Sequence, residues 1–80
     1  MKRIPRDITG YELIKLIGKF GYQITRQTGS HIRLTTMEKG IHHITVPKHN
    51  PLKIGTLSNI LSDIAEHFQI SRKELLEKLF

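Results

Sequence analysis

His31 is the residue best placed to do chemistry in this sequence. It directly follows Thr28-Gly29-Ser30, at the point where a tight turn gives way to an alternating strand. Imidazole titrates near neutrality, at about 6.5, so it can take or give a proton at cellular pH. Gly29 and Ser30 set a free backbone amide and a hydroxyl beside it, and Arg33 lies two residues on along the same strand face. A base flanked by a cation and amides is what attack on a phosphodiester requires. For a lone exposed histidine, a solvated surface side chain is the simpler reading. The turn and Arg33 are what set His31 apart from that case.

The other four histidines do not assemble a metal site by spacing. His42 and His43 are adjacent in a strand and point to opposite faces, His49 falls in a loop, and His67 falls late in a helix. No His-x-x-x-His pair occurs and there is no cysteine, so neither zinc nor any other cofactor is expected. Asp63 and Glu66 share a helix face, where solvated acids are a cheaper explanation than a two-metal centre. Walker and Gly-x-Gly-x-x-Gly motifs are absent, and no Ser-His-Asp constellation is visible. Lys53 with Gly55-Thr56 near a helix start could form an anion site from free amides and the positive end of the dipole. Capping by Thr56, with Gly55 leading in, explains the same residues equally well. Lys48 and His49 add a cation and a second imidazole in the loop before that helix.

The elements that must hold these residues are legible from periodicity. Thr9-Gly10-Tyr11-Glu12 is a capping box, and Leu13, Ile14, Leu16, Ile17 and Phe20 follow at helical spacing until Gly21. Three strands come next. Tyr22 to Thr28 is expected to turn Tyr22 and Ile24 inward, Ser30 to Thr36 to bury Ile32 and Leu34, and Ile41 to Val46 to bury Ile44 and Val46 before Pro47. The opposite face then presents Gln23, Thr25 and Gln27, then His31, Arg33 and Thr35, and finally Ile41, His43 and Thr45. A helix starting between Asn50 and Thr56 carries Leu57, Ile60, Leu61, Ile64 and Phe68 inward. Ser71-Arg72-Lys73-Glu74 is a second capping box, opening a last helix with Leu75, Leu76 and Leu79 inward. The fold class is therefore α+β: a two-layer domain ordered α-β-β-β-α-α, with helices on one face of a three-stranded antiparallel sheet. The uncovered face is where function should be sought.

Charge favours a polyanionic partner for that face. The net charge is +6. Residues 1–53 hold ten basic and three acidic side chains, and residues 54–80 hold three and four, so net charges of +7 and −1 make up the total. Such asymmetry suits nucleic acid better than it suits simple solubility. Met1-Lys2-Arg3-Ile4-Pro5 resembles the basic start of a secretory leader, but Asp7, Glu12 and Lys15 interrupt any apolar run after it. No segment approaches the roughly 18 apolar residues of a membrane span. With cysteine absent as well, the expectation is a cytoplasmic protein with no membrane partner.

Four motifs occur in register: a helix ending at Gly21-Tyr22, the turn Gly29-Ser30-His31, the strand end Val46-Pro47-x-His49, and Gly55-Thr56-Leu57-x-x-Ile60-Leu61. Together they resemble the HicA, or YcfA-like, toxin family over about residues 9–65. The resemblance implies a double-stranded-RNA-binding-domain-like fold. It also implies an mRNA-cleaving toxin of a type II toxin–antitoxin pair, held in check by a HicB-type antitoxin. The family's essential histidine falls on His31, with Gly29 and Ser30 matching its neighbours. Gly55 and Thr56 match the start of the helix that approaches the sugar–phosphate backbone in the related RNA-binding fold. Past the second helix the chain departs from the pattern, continuing through Ala65-Glu66-His67-Phe68-Gln69 into a further helix.

The combined expectation is one domain over residues 1–80, with a motif-bearing core at about 9–65 and a helical extension at 66–80. Its function would be metal-independent cleavage of mRNA. His31 would be the acid–base group, with RNA contacts from Gly29, Ser30, Arg33, Lys48, His49, Lys53, Gly55 and Thr56. Two other readings use the same residues: a non-catalytic RNA-binding module, in which His31 only donates a hydrogen bond, and a pure interaction partner whose free sheet face meets another protein.

Overall fold

The computed structural model describes residues 4–80. Met1, Lys2 and Arg3, which open the leader-like segment, lie outside the described residues. Helix α1 spans Gly10–Ile17 and runs on as a 3₁₀ turn over Gly18–Phe20. Strands β1 (Gln23–Thr28), β2 (His31–Thr36) and β3 (His42–Pro47) follow, then α2 (Ile54–Phe68) and α3 (Arg72–Leu79). The sheet is antiparallel in the order β1-β2-β3. This is the α+β arrangement expected, and its order and layering are consistent with the double-stranded-RNA-binding-domain-like fold.

Local chemistry accounts for the element ends. The capping box at α1 is complete: the Glu12 amide donates to Thr9 Oγ1 at 3.1 Å and the Thr9 amide donates to Glu12 Oε1 at 2.8 Å. Those bonds hold the Glu12 carboxyl below its usual range, with the backbone amide of Thr9 the larger cause. At α3 only half of the expected box forms, with the Glu74 amide donating to Ser71 Oγ at 3.0 Å. Helix α2 begins at Ile54 with Lys53 at its N-cap. Thr56 therefore lies inside the first turn, and capping by Thr56, one of the two readings of these residues, does not occur.

The core is the covered side of the sheet. Ile32, Leu34, Ile44 and Val46 are buried beneath Leu13 and Ile17 of α1 and Leu57, Leu61 and Ile64 of α2, and α3 adds Leu75 and Leu79. Arg72 Nη1 ties α3 to α2 by donating to Ser58 Oγ at 2.9 Å and to Ser62 Oγ at 3.0 Å. The helices pack chiefly on β3, so every residue of the edge strand β1 is exposed. Tyr22 is buried as expected. Ile24, expected inward with it, is half exposed because β1 runs beyond the helical layer.

The register of β1 also departs from simple alternation. Thr28 pairs with His31, Gln27 with Ile32 and Arg26 with Arg33, whereas beyond a bulge Ile24 pairs with Leu34 and Gln23 with Thr35. Thr25 is the extra residue of that bulge. Directly paired residues share a face, so Arg26 and Thr28 join His31 and Arg33 on the free face, while Gln27 moves to the other parity. The expected placement of Gln27 is thus overturned, and Arg26 takes its place.

Candidate functional site on the free sheet face

His31 begins β2 and is exposed, with its Cα opposite Thr28 on one side and Pro47 on the other. The Gly29-Ser30 turn sets this position. Gly29 has φ +56° and Ser30 stays at negative φ, a pattern that matches the right-handed twist of a two-residue hairpin. The turn is fastened from the far strand, where the Lys48 amide donates to the Ser30 carbonyl at 2.7 Å. The His31 side chain makes no hydrogen bond or ion pair within the protein. It is an imidazole on a rigid backbone with both ring nitrogens open to a ligand.

Helix α1 braces the same end of the sheet. The Gly10 amide donates to the His49 carbonyl at 3.0 Å, and a side chain at Gly10 would strike the Pro47 carbonyl. Only glycine allows this close approach. The Lys48 ammonium lies 6.0 Å from the centroid of the Tyr11 ring, within reach of a cation–π contact. The structure therefore brings Gly29, Ser30, His31, Lys48 and the His49 backbone together around the ends of β2 and β3. Lys53, Gly55 and Thr56 form a separate group at the start of α2, and no hydrogen bond joins them to His31. The amides of Gly55 and Thr56 have no acceptor in the protein.

Further along the face, a hydrogen-bonded chain crosses all three strands. Thr25 Oγ1 donates to the Arg33 carbonyl at 3.4 Å, Thr25 and Thr35 hydroxyls meet at 2.9 Å, and Thr35 Oγ1 meets His43 Nδ1 at 2.8 Å. One set of directions satisfies all three: Thr35 donates to Thr25, and His43 Nδ1–H donates to Thr35. In the neutral ring His43 Nε2 is then the acceptor, and it has no partner in the protein. Arg26 and Arg33 stand directly opposite each other, and neither has a carboxylate partner. Strand parity taken from Tyr22 misses Arg26. Counting back from the two-residue turn, with Thr28 opposite His31, places Arg26 opposite Arg33 from the sequence alone.

A second cluster lies away from this face. Tyr22, His42, Asp63 and His67 converge where β3 meets α2, so Asp63 is engaged by His42 rather than free in solvent. Among the described residues no three His, Asp or Glu side chains are arranged to hold a metal ion. Among the same residues no helix is long and apolar enough to cross a membrane.

Comparison with curated proteins finds no match, and neither does comparison with solved structures. The family model described as "HicA toxin of bacterial toxin-antitoxin" matches residues 10–65, from the first residue of α1 to Ala65 in α2. That span holds the whole sheet, the Gly29-Ser30-His31 turn and the start of α2. The chain belongs to the HicA toxin family of bacterial toxin–antitoxin systems.

Proposed function

We propose that this chain is an endoribonuclease that cleaves mRNA, with His31 as its acid–base group and no metal in the reaction. The observation that carries this reading is the exposed, unpartnered His31 imidazole on a strand end whose neighbouring turn is tied down by the Lys48 amide. RNA brings its own nucleophile. The 2′-hydroxyl attacks the adjacent phosphorus while the bond to the leaving 5′-oxygen breaks, giving a cyclic 2′,3′-phosphate and a 5′-hydroxyl. His31 either accepts the proton of the 2′-hydroxyl or gives one to the 5′-oxygen, a role typically worth about 10²–10⁴-fold. Arg33, Lys48 and Lys53 neutralise phosphates, and His49 is a phosphate contact or the second proton-transfer group. The amide and hydroxyl of Gly29-Ser30 sit beside the scissile phosphate. The open amides of Gly55 and Thr56 take a backbone phosphate further along the strand. The partner is a HicB-type antitoxin that covers the His31 face, the site is cytoplasmic, and residues 1–80 act as one domain.

The test is cleavage of a long unstructured RNA by purified, partner-free protein in EDTA, wild type against His31→Ala. Cleavage by the wild type alone supports the reading. Binding without cleavage by either protein supports the RNA-binding module instead, and full activity in His31→Ala removes His31 from the mechanism.

A further inference from the structure

We infer that the free sheet face carries a second nucleotide subsite beside His31, with Arg26 and Arg33 on its phosphate and Met37, Ile41 and His43 around its base. The inference rests on the ribonuclease reading above and extends it to a surface that the His31 turn does not reach. Arg26 and Arg33 are paired across β1 and β2 with no acid to neutralise either. Like charges directly opposite each other destabilise a strand pair, so this arrangement gains when an anion sits between them. The hairpin register, running back from Thr28 opposite His31, sets the second arginine on this face. Beside the pair is a shallow depression of about 450 Å³, floored by Thr25 and Thr35 and walled by Met37, Ile41 and His43. Met37 is 71% exposed and Ile41 63% exposed, so both present apolar surface to solvent rather than to the core.

A polyanion with flat, partly polar bases fits this combination. The guanidinium pair takes phosphate, the apolar wall takes a base face, and the open Nε2 of His43 accepts a hydrogen bond from a base amino group or a 2′-hydroxyl. Arg33 stands about 7 Å along β2 from His31, the spacing of alternate strand residues. The subsite therefore holds a nucleotide neighbouring the one cut at His31. A single strand is required, because paired bases would keep their faces stacked and out of reach.

The experiment measures binding of a labelled single-stranded oligoribonucleotide across a salt series, in the His31→Ala background so that the probe stays intact. Arg26→Gln is expected to weaken binding roughly tenfold, as loss of a charge-assisted contact does. It should also flatten the slope of log K against log salt by about 0.7, the signature of one lost phosphate contact on a single strand. Ile41→Ser is expected to weaken binding with the slope unchanged, and an abasic nucleotide in the probe should remove that effect. Both substitutions are at exposed positions, and circular dichroism melts compare their folding with the parent. If the two variants bind as the parent does while Lys53→Gln weakens binding, the RNA reading stands and the subsite falls. If Arg26→Gln leaves RNA binding intact but weakens the antitoxin complex, the face belongs to the protein partner and the subsite falls. If the parent shows no salt-dependent RNA binding, the subsite and the ribonuclease reading fall together.

Discussion

The hydroxyl of Tyr22 lies 2.7 Å from Nδ1 of His42, whose Nε2 is 3.1 Å from Asp63. The His42 ring stacks on His67, with centroids 4.4 Å apart. His67 in turn lies 2.9 Å, through Nε2, from the Glu38 carbonyl. Tyr22 and His42 lie within the family-matched segment, whereas His67 and Phe68 lie past its end at residue 65. Residues past the matched segment therefore pack against those within it through an aromatic cluster that also includes Phe20.

That relationship gives a pH prediction. Burial, aided by the Asp63 charge, pushes the Tyr22 phenol well above its ordinary range. A raised folded-state pKa contributes stability that is fully present below the unfolded value, about 10, and is lost as pH rises beyond it. Urea unfolding at pH 7 and at pH about 11 should therefore show a larger alkaline loss in wild type than in Tyr22→Phe. The substitution should cost about 0.5–1.5 kcal/mol at pH 7 for the lost hydrogen bond. Equal alkaline losses in the two proteins would contradict the assignment.

Among the described residues Thr36 is the one buried polar side chain, and its hydroxyl both donates and accepts. It donates to the Phe20 carbonyl at 2.7 Å and accepts from the Glu38 amide at 3.1 Å, joining the end of the 3₁₀ turn to the end of β2. Thr36→Val keeps the shape and strands both partners, at a cost of about 1–3 kcal/mol. His31 is at the other end of β2, so the ribonuclease reading predicts that RNA cleavage measured well below the melting temperature is unchanged. A change in unfolding free energy under about 0.5 kcal/mol would show that the bonds carry no weight.

Two glycines of the first helical stretch should respond in opposite directions. A side chain at Gly10 meets the Pro47 carbonyl, so Gly10→Ala should destabilise by roughly 1–3 kcal/mol despite the better helix propensity of alanine. Gly18 has helical dihedrals and nothing within 4 Å of a built side chain. Gly18→Ala should stabilise by about 0.4–1 kcal/mol, chiefly by restricting the unfolded chain. Thermal melts of the two variants check both signs.

At Gly29 the constraint is conformational and not steric. Nothing lies within 4 Å of a side chain there, but φ is +56°. Gly29→Ala should cost about 1–2 kcal/mol, and Gly29→Asn should cost less because asparagine tolerates positive φ. Because the turn positions His31, the ribonuclease reading predicts that cleavage follows the same order: glycine, then asparagine, then alanine. Cleavage that stays constant across the three proteins would detach the turn from the activity.

The periodicity of Leu57, Ile60, Leu61, Ile64 and Phe68 determined α2 and its buried face, because a single apolar stripe has only one way to leave water. Ile32, Leu34, Ile44 and Val46 determined the covered face of the sheet for the same reason. The turn at Gly29-Ser30 determined where His31 begins its strand, since the hairpin needs positive φ at that point. All of these follow from local dihedral preference and alternation, which the chain carries in its order of residues.

Where alternation fails, and which distant groups meet, is set by the packing of the layers. The bulge at Thr25 lies on an edge strand that no helix covers, so no burial pattern marks it; it shifts Ile24 to pair with Leu34, so that parity counted forward from Tyr22 misplaces Gln27 and Arg26. The start of α2 at Ile54, the Gly10–Pro47 contact and the Tyr22–His42–Asp63 cluster likewise join groups far apart in the chain, or depend on how a helix end docks. Their energies come from packing and hydrogen bonds across elements, which are set only once the layers have closed on each other.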